Sequence, residues 1–294
     1  MRNKVFALII FVIMGCVSVR ESEECIAPNW TSDGRVIFVR DYNYVRERHI
    51  FTDESNLEGS YEVLTLCEVG VDGNGYREIK EVSRSERYAY SIGINGVSSA
   101  GDWVVFDLRE EGDKYHRICV MRRDGSDFYN TGVIGMHPDF SPDASKIVYE
   151  KPDSGIWVMD RDGSNNHCIV SDPDAKYPAW SPDGERIAYV MGNLYIIDTI
   201  GSMLDTIFIR PRGNPPDWGP QDSNAICIST GFRGSIIYLE TEEVDTLENV
   251  IVGDAPIKWS PDGSKFIAYD ADGFYVINRN GTQKWYLKDK IGGK

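Results

Sequence analysis

The chain has 294 residues, with 31 Lys and Arg against 46 Asp and Glu, for a formal net charge of −15. A surface that acidic repels nucleic acid and anionic lipid headgroups, so no nucleic-acid partner is expected. Six cysteines without a C-x-x-C pair specify neither a zinc site nor a disulfide framework.

In chain order, Arg2 and Lys4 come first and are followed by eleven uncharged residues, VFALIIFVIMG, that end at Cys16. This run is shorter than the roughly 20 residues that span a bilayer. With its charged start and small-residue end it reads as an export signal. The I-M-G-C ending resembles the bacterial lipoprotein signal, which implies cleavage ahead of Cys16 and acylation of that residue. Ordinary cleavage nearby, giving a periplasmic or secreted protein, and an uncleaved anchor are the alternatives. Residues 1–15 are then a signal peptide and 16–24 a polar, lipid-proximal tether.

From residue 25 a phrase close to WSPDGxxIAY returns: WSPDGERIAY at 180–189, WSPDGSKFIAY at 259–269, FSPDASKIVY at 140–149, and degraded copies elsewhere. The residues at its Trp position are Trp30, Val97, Phe140, Trp180, Trp218 and Trp259. Four of the five spacings fall between 38 and 43 residues, while the first is 67. A period near 40, with one tight turn between apolar strands, is that of a propeller blade. A second turn recurs at Gly73, Gly125, Gly163, Gly201 and Gly281, and unit five lacks it. From Trp30 to Gly73 is 43 residues, against 21 to 28 in the other units, so the surplus of unit one lies between its second and third strands. Residues 41–60, DYNYVRERHIFTDESNLEGS, are the expected insertion.

Each unit reads as four short strands, such as YPAW, ERIAYV, LYIIDT and DTIFIR in the fourth. Asp-Gly and Asn-Gly between β-rich runs favour hairpins because Gly takes positive φ without steric cost. In SPDG, Pro presets φ and Asp bonds its own backbone, so the phrase is turn chemistry rather than ligand chemistry. D-R-D-G at Asp160 begins like a calcium loop, but the twelfth position holds Ser171 instead of a bidentate Glu, and a hairpin turn accounts for it.

The phrase P-x-W-S-P-D-G-x-x-I-A-Y resembles the repeat of TolB-type propellers across nearly the whole mature chain. That resemblance implies an all-β fold: a six-bladed β-propeller of four-stranded antiparallel blades over 25–290. It also implies, by analogy of fold, an interaction with other envelope proteins across one face of the disc. A propeller-type pectic-oligosaccharide lyase shares the fold and uses histidines around a metal. Here the four histidines, His49, His116, His137 and His167, are scattered, and no G-x-S-x-G elbow is present. No catalytic residue, metal or cofactor is therefore expected.

Two sets of candidate site residues follow. The innermost strand of each blade lines the channel, which places Asn29, His137, Asp139, Tyr177, Asp217 and Lys258 at its mouth, where they would suit a cation or polar ligand. The insertion carries Tyr42, Tyr44, Arg46, Arg48 and Phe51, aromatic and cationic groups in an acidic chain, and is the preferred partner contact, with a solvated loop as the alternative. The ranked expectations are a monomeric, non-catalytic envelope interaction module, then a carbohydrate or small-ligand binder, then an enzyme. Cys25, Cys67, Cys119, Cys168 and Cys227 are expected to be small buried hydrophobes.

Overall fold

A computed structural model describes residues 8–12, 15–49, 55–70, 72–85, 91–110, 112–211, 214–220, 223–252 and 256–290. It is an all-β chain of six successive sheets with no α-helix among the described residues. Blade 1 contains β1 (Leu8–Val12), β2 (Gly15–Trp30), β3 (Val36–His49), β4 (Ser55–Val69) and β5 (Arg77–Ser85). Blade 2 contains β6 (Ser91–Ala100), β7 (Trp103–Arg109), β8 (Arg117–Arg122) and β9 (Tyr129–Ile134). Blade 3 contains β10 (Met136–Phe140), β11 (Lys146–Lys151), β12 (Gly155–Asp160) and β13 (His167–Val170). Blade 4 contains β14 (Lys176–Trp180), β15 (Arg186–Met191), β16 (Asn193–Asp198) and β17 (Met203–Ile207). Blade 5 contains β18 (Asp217–Trp218), β19 (Ala225–Thr230), β20 (Arg233–Tyr238) and β21 (Glu243–Ile251). Blade 6 contains β22 (Lys258–Trp259), β23 (Lys265–Asp270), β24 (Gly273–Asn278) and β25 (Trp285–Tyr286). Within each sheet the strands pair antiparallel in chain order, and β1 adds a fifth strand to blade 1.

The repeated Ser-Pro-Asp turn folds as its chemistry demands. Ser141 Oγ donates to Asp143 Oδ1 at 2.6 Å and accepts the Lys146 N–H at 2.9 Å. Ser260 repeats both bonds, with Asp262 and Lys265. Thr31, Asp33 and Arg35 do the same in blade 1. Unit two, whose phrase is lost, turns instead through Gly101 at φ 54°, and unit five makes its second turn with Glu242 at φ 56° in place of glycine. The second recurrent glycine has an added role. A Cβ at Gly201 would run into the carbonyl oxygen of Ile169 in the preceding blade, and one at Gly281 would lie 2.6 Å from Asn249 Cβ. These glycines therefore permit both the turn and the close approach of neighbouring blades.

No blade encloses a core alone. Six apolar clusters lie between successive sheets, for example Phe106 and Cys119 of blade 2 with Leu64 and Leu66 of blade 1. Trp180 and Tyr189 of blade 4 pack with Val148 and Val158 of blade 3. The sixth cluster closes the ring, joining Trp30, Phe38 and Val69 of blade 1 to Ile267, Val276 and Leu287 of blade 6. Among the described residues no strand is exchanged at this seam. Besides packing, it is held by the Trp30 indole N–H, which donates to the Lys258 carbonyl at 3.2 Å. Blades 1 and 2 are also clamped by the buried Glu68 carboxylate, bonded by Arg35, Arg77 and Arg123, with Arg123 reaching Asp33 at 2.9 Å. Burial opposes the Glu68 charge, but the Arg123 and Arg77 hydrogen bonds outweigh it and hold the carboxyl below its ordinary value.

The cysteine expectation needs one correction. Cys67, Cys119 and Cys227 are buried, whereas Cys168 is exposed, because it lies on β13, an outermost strand with no sheet beyond it. Cys25 is half-buried, and Cys67, Cys119, Cys168 and Cys227 are free thiols.

Trp30→Ala should lower stability by about 4 kcal/mol, the cost of deleting a buried indole. Trp30→Phe, which keeps most of the packing and loses the seam hydrogen bond, should cost about 1 kcal/mol. Urea unfolding would measure both, and equal costs would contradict this account of the seam.

Candidate functional site

The channel-mouth residues belong to inner strands that share a distinctive backbone. Ala27, His137 and Tyr177, each preceding a proline, have φ of 50°, 51° and 56°. At the same places β2, β10 and β14 slip register against their neighbours. Such bulges re-aim a strand. Their presence at Ala27 as well as at His137 and Tyr177 makes them a property of the blade rather than of one polar side chain.

The residue just before each anchor aromatic binds the next blade. Asn29 Nδ2 donates to the Val97 carbonyl of blade 2 at 2.8 Å. Asp139 Oδ2 accepts the Trp180 N–H of blade 4 at 2.7 Å, while its Oδ1 accepts Ser98 Oγ of blade 2 at 2.6 Å. The Ala179 carbonyl accepts the Trp218 indole N–H at 3.1 Å. Asp217 Oδ2 accepts the Trp259 N–H of blade 6 at 2.6 Å. Lys258 completes the series through its carbonyl to Trp30. Where an aspartate takes the backbone N–H of the following Trp, as at Trp180 and Trp259, that indole N–H is buried without a hydrogen-bond partner among the described residues. The side chains of Asn29, Asp139 and Asp217 are thus engaged between blades.

Electrostatics couple three of them. Lys258 Nζ lies 3.3 Å from Asp217 Oδ1, with the side chains 11% and 20% exposed. Burial alone would discharge the amine, yet the carboxylates of Asp217 and Asp139 outweigh it and raise its pKa. Burial likewise pushes the Asp139 and Asp217 carboxyls up, against the pull of Lys258. One cation therefore serves two half-buried acids from different blades.

His137 and Tyr177 form a second group, with ring centroids 4.6 Å apart. His137 Nδ1 is 3.0 Å from Glu150 Oε2, and the Tyr177 N–H reaches the same oxygen at 3.4 Å. The corresponding position of blade 2 holds buried Asp107, 2.7 Å from His116 Nδ1. Sequence reasoning missed Glu150 and Asp107. The signal was a carboxylate closing an apolar run, IVYE and VVFD, at equal positions of two repeats. His167 is exposed and contacts the Asn165 carbonyl, and the His49 side chain lies outside the described set. Among the described residues no three His, Cys, Asp or Glu converge as metal ligands.

The insertion takes an ordered form where it is described. Residues 41–49 prolong β3 and 55–60 prolong β4, and β2 runs alongside from Cys16, which pairs with His49. Residues 16–24, expected as a polar tether, are strand, because β3 offers them a continuous ladder of hydrogen bonds. Blade-spanning strands elsewhere have six or seven residues, as in β11 and β7. The surplus of eight in β3 carries this three-stranded ribbon up to about 25 Å beyond the disc. Tyr42 and Tyr44 alternate along it and are half-buried. Arg46 and Arg48 pair through their backbones with Gly59 and Asn56, and Phe51 lies outside the described residues. At the ribbon's base a groove of about 370 Å³ is lined by Arg40, Tyr42, Val63, Thr65, Glu78 and Lys80, with Arg40 Nη1 2.6 Å from Glu78 Oε1. Asp41 pairs with Glu24 across the ribbon. Burial first, then the charges of Glu62 and Glu24, push its carboxyl up to about 6.

Two outcomes follow from these charges. Lys258→Met should destabilise the fold by about 2 kcal/mol by stranding a half-buried carboxylate, and Lys258→Met/Asp217→Asn should recover more than half of that loss. Thermal unfolding of both variants measures the coupling, and strictly additive losses would contradict it. For Asp41 the folded form holds a proton that the unfolded chain, with a carboxyl near 4, has released. Ribbon stability is then full below about 4 and is lost as pH rises through about 6. Amide exchange at Asn43 and Tyr44, corrected for intrinsic rate, should accelerate between pH 5 and 7, and Asp41→Asn should flatten that dependence.

No protein-family model matches the chain, and no curated protein sequence does. Solved structures match it in fold. TolB from Acinetobacter baumannii aligns with a TM-score of 0.61 at 12% identity, over 91% of this chain and 78% of that one. A chain of the nidogen–laminin complex aligns at 0.58 and 11% identity, over 77% and 91%. An oligogalacturonate lyase in complex with manganese aligns at 0.54 and 11% identity, over 92% and 96%. At such identities the likeness speaks for fold alone: the chain is a TolB-like six-bladed β-propeller.

Proposed function

We propose that this chain is an exported, non-catalytic propeller, tethered to a membrane through an acylated Cys16, that serves as a protein-interaction module of the cell envelope. The observation that carries the reading is the contrast between the two candidate sites. At the channel mouth, Asn29, Asp139 and Asp217 spend their polar atoms holding blades together. The ribbon instead departs from the repeat and presents half-buried Tyr42 and Tyr44 beside a groove that mixes Arg40, Lys80 and Glu78. Aromatic and guanidinium groups of this kind are the ones enriched at protein interfaces. The N-terminal sequence supports export, and TolB-like architecture is compatible with a partner that docks on the disc.

Cys16→Ser should abolish metabolic acyl labelling and release the protein from membranes, and continued labelling would remove the lipid tether from this reading. Deletion of 41–60 should deplete crosslinked partners recovered from membranes by at least tenfold. An unchanged partner profile in a folded deletion variant would overturn the interaction surface.

A further inference from the structure

Asn-Gly steps occur at 74–75, 95–96 and 280–281. Such a step loses its side-chain amide spontaneously where the glycine nitrogen can reach the asparagine Cγ, because glycine has no side chain to hinder the approach. The step at 95–96 lies within β6, while the other two share one turn of the repeat in different registers. Blades 1, 2, 3 and 6 close the hairpin before their outermost strand alike: the N–H of the turn glycine, at 73, 125, 163 and 281, donates to the carbonyl of Gly70, Arg122, Asp160 and Asn278 respectively. Asn280 precedes that glycine, at the place of Asp72, Asp124 and Asp162. Asn74 follows it, at the place of Ser126, Ser164 and Thr282. Gly75 then takes the left-handed position that Asp127, Asn165 and Gln283 take elsewhere, with φ of 66° against 51°, 52° and 53°.

At Asn280 both reacting groups are committed. The Gly281 N–H donates to the Asn278 carbonyl at 2.8 Å, and Asn280 Oδ1 accepts the Thr282 N–H at 3.2 Å and Thr282 Oγ1 at 2.6 Å. Asp124 and Asp162 make the same two bonds with Ser126 and Ser164, so an aspartate at this place is already a residue of the repeat. At Asn74 the bonds fall elsewhere. Its Nδ2 donates to Asp72 Oδ2 at 2.9 Å, and its backbone N–H to Asp72 Oδ1 at 3.0 Å. Asn74 and Gly75 are both exposed, and among the described residues neither the Gly75 N–H nor Asn74 Oδ1 has a hydrogen-bond partner.

We infer that Asn74 is a site of spontaneous amide loss in the folded protein, whereas the same dipeptide at Asn280 is protected by its turn. The Gly75 nitrogen gives its proton to water and bonds to Asn74 Cγ, the Cγ–Nδ2 bond breaks, and Nδ2 leaves as ammonia. Water then opens the cyclic imide, at one carbonyl to aspartate and at the other to isoaspartate, with no oxidation or reduction. Either product sets a carboxylate beside Asp72 where a hydrogen bond had been, and the like charges repel. The turn so loosened includes the Gly75 carbonyl, which accepts Arg35 Nη2 at 2.8 Å, and Arg35 is one of the guanidinium groups on Glu68. The modification therefore acts on the clamp between blades 1 and 2.

The test holds the full-length protein at pH 8, folded or in urea, and follows amide loss at 74 and 280 by peptide mapping with mass spectrometry. In the folded protein, loss at 74 should exceed loss at 280 by at least about tenfold, the effect of one net hydrogen bond on the Gly281 nitrogen. In urea the two rates should converge. Equal rates in the folded protein, or no loss at 74 by the time the unfolded chain has lost both amides, overturns the inference. Rates that stay apart in urea trace the contrast to sequence and overturn its origin in the turns. Variants that install the aspartyl product give a second readout. Asn74→Asp should lower the melting temperature, and Asn280→Asp, which matches blades 2 and 3, should leave it unchanged. An unshifted melting temperature for Asn74→Asp overturns the link to the clamp.

Discussion

A β-sheet with two apolar faces has no stable existence in water, and in this chain every sheet is of that kind. Phe106, Tyr149, Tyr189 and Tyr275 are each buried between one blade and the next, so the free energy that folds a blade comes from its neighbours. The arrangement is satisfied only when the last sheet finds the first. Closure is then a condition of folding for all six blades, and it is met at a seam through Trp30, Phe38, Ile267 and Leu287. The glycines at 125, 163, 201 and 281 belong to the same constraint, because they set how near one blade's turn comes to the outer strand of the blade before it.

The polar groups near the axis are best understood within that constraint. Inner strands converge on the channel, where backbone groups lie close to those of adjoining blades and require partners. Asn29, Asp139 and Asp217 supply them with side chains, and Ala179 and Lys258 with carbonyl groups, so one position in the repeat performs one task with different chemistry. The charge introduced by two aspartates is opposed by Lys258. In bonding, the position before each anchor aromatic is a set of latches between blades.

Much of the fold was legible in sequence. The anchors at 30, 97, 140, 180, 218 and 259 each end or approach the end of an inner strand, and the Ser-Pro-Asp phrase makes the turn that its residue types require. The latches were not legible, because a hydrogen bond from the Trp180 N–H to Asp139 spans 41 residues and depends on the angle between two sheets. The Glu68 clamp likewise draws on Arg123 from another blade. At the insertion, the alternation in DYNYVRERH carried the strand signal. It was masked because both faces of a ribbon outside the disc are polar, which removes the apolar stripe by which a strand is usually found. The pairing of 16–24 was hidden for the same reason.

The ribbon has a mechanical consequence. β2 is joined to β3 along nearly its whole length, from Cys16 opposite His49 to Trp30 opposite Val36, and it leads from the N-terminal end directly into the inner wall of blade 1. A pull on that end along the strand loads the entire row of hydrogen bonds at once, in shear, instead of peeling them one by one. Force applied there is delivered to Trp30 and so to the junction between blades 1 and 6, the one place where the ring is held by side chains from opposite ends of the chain.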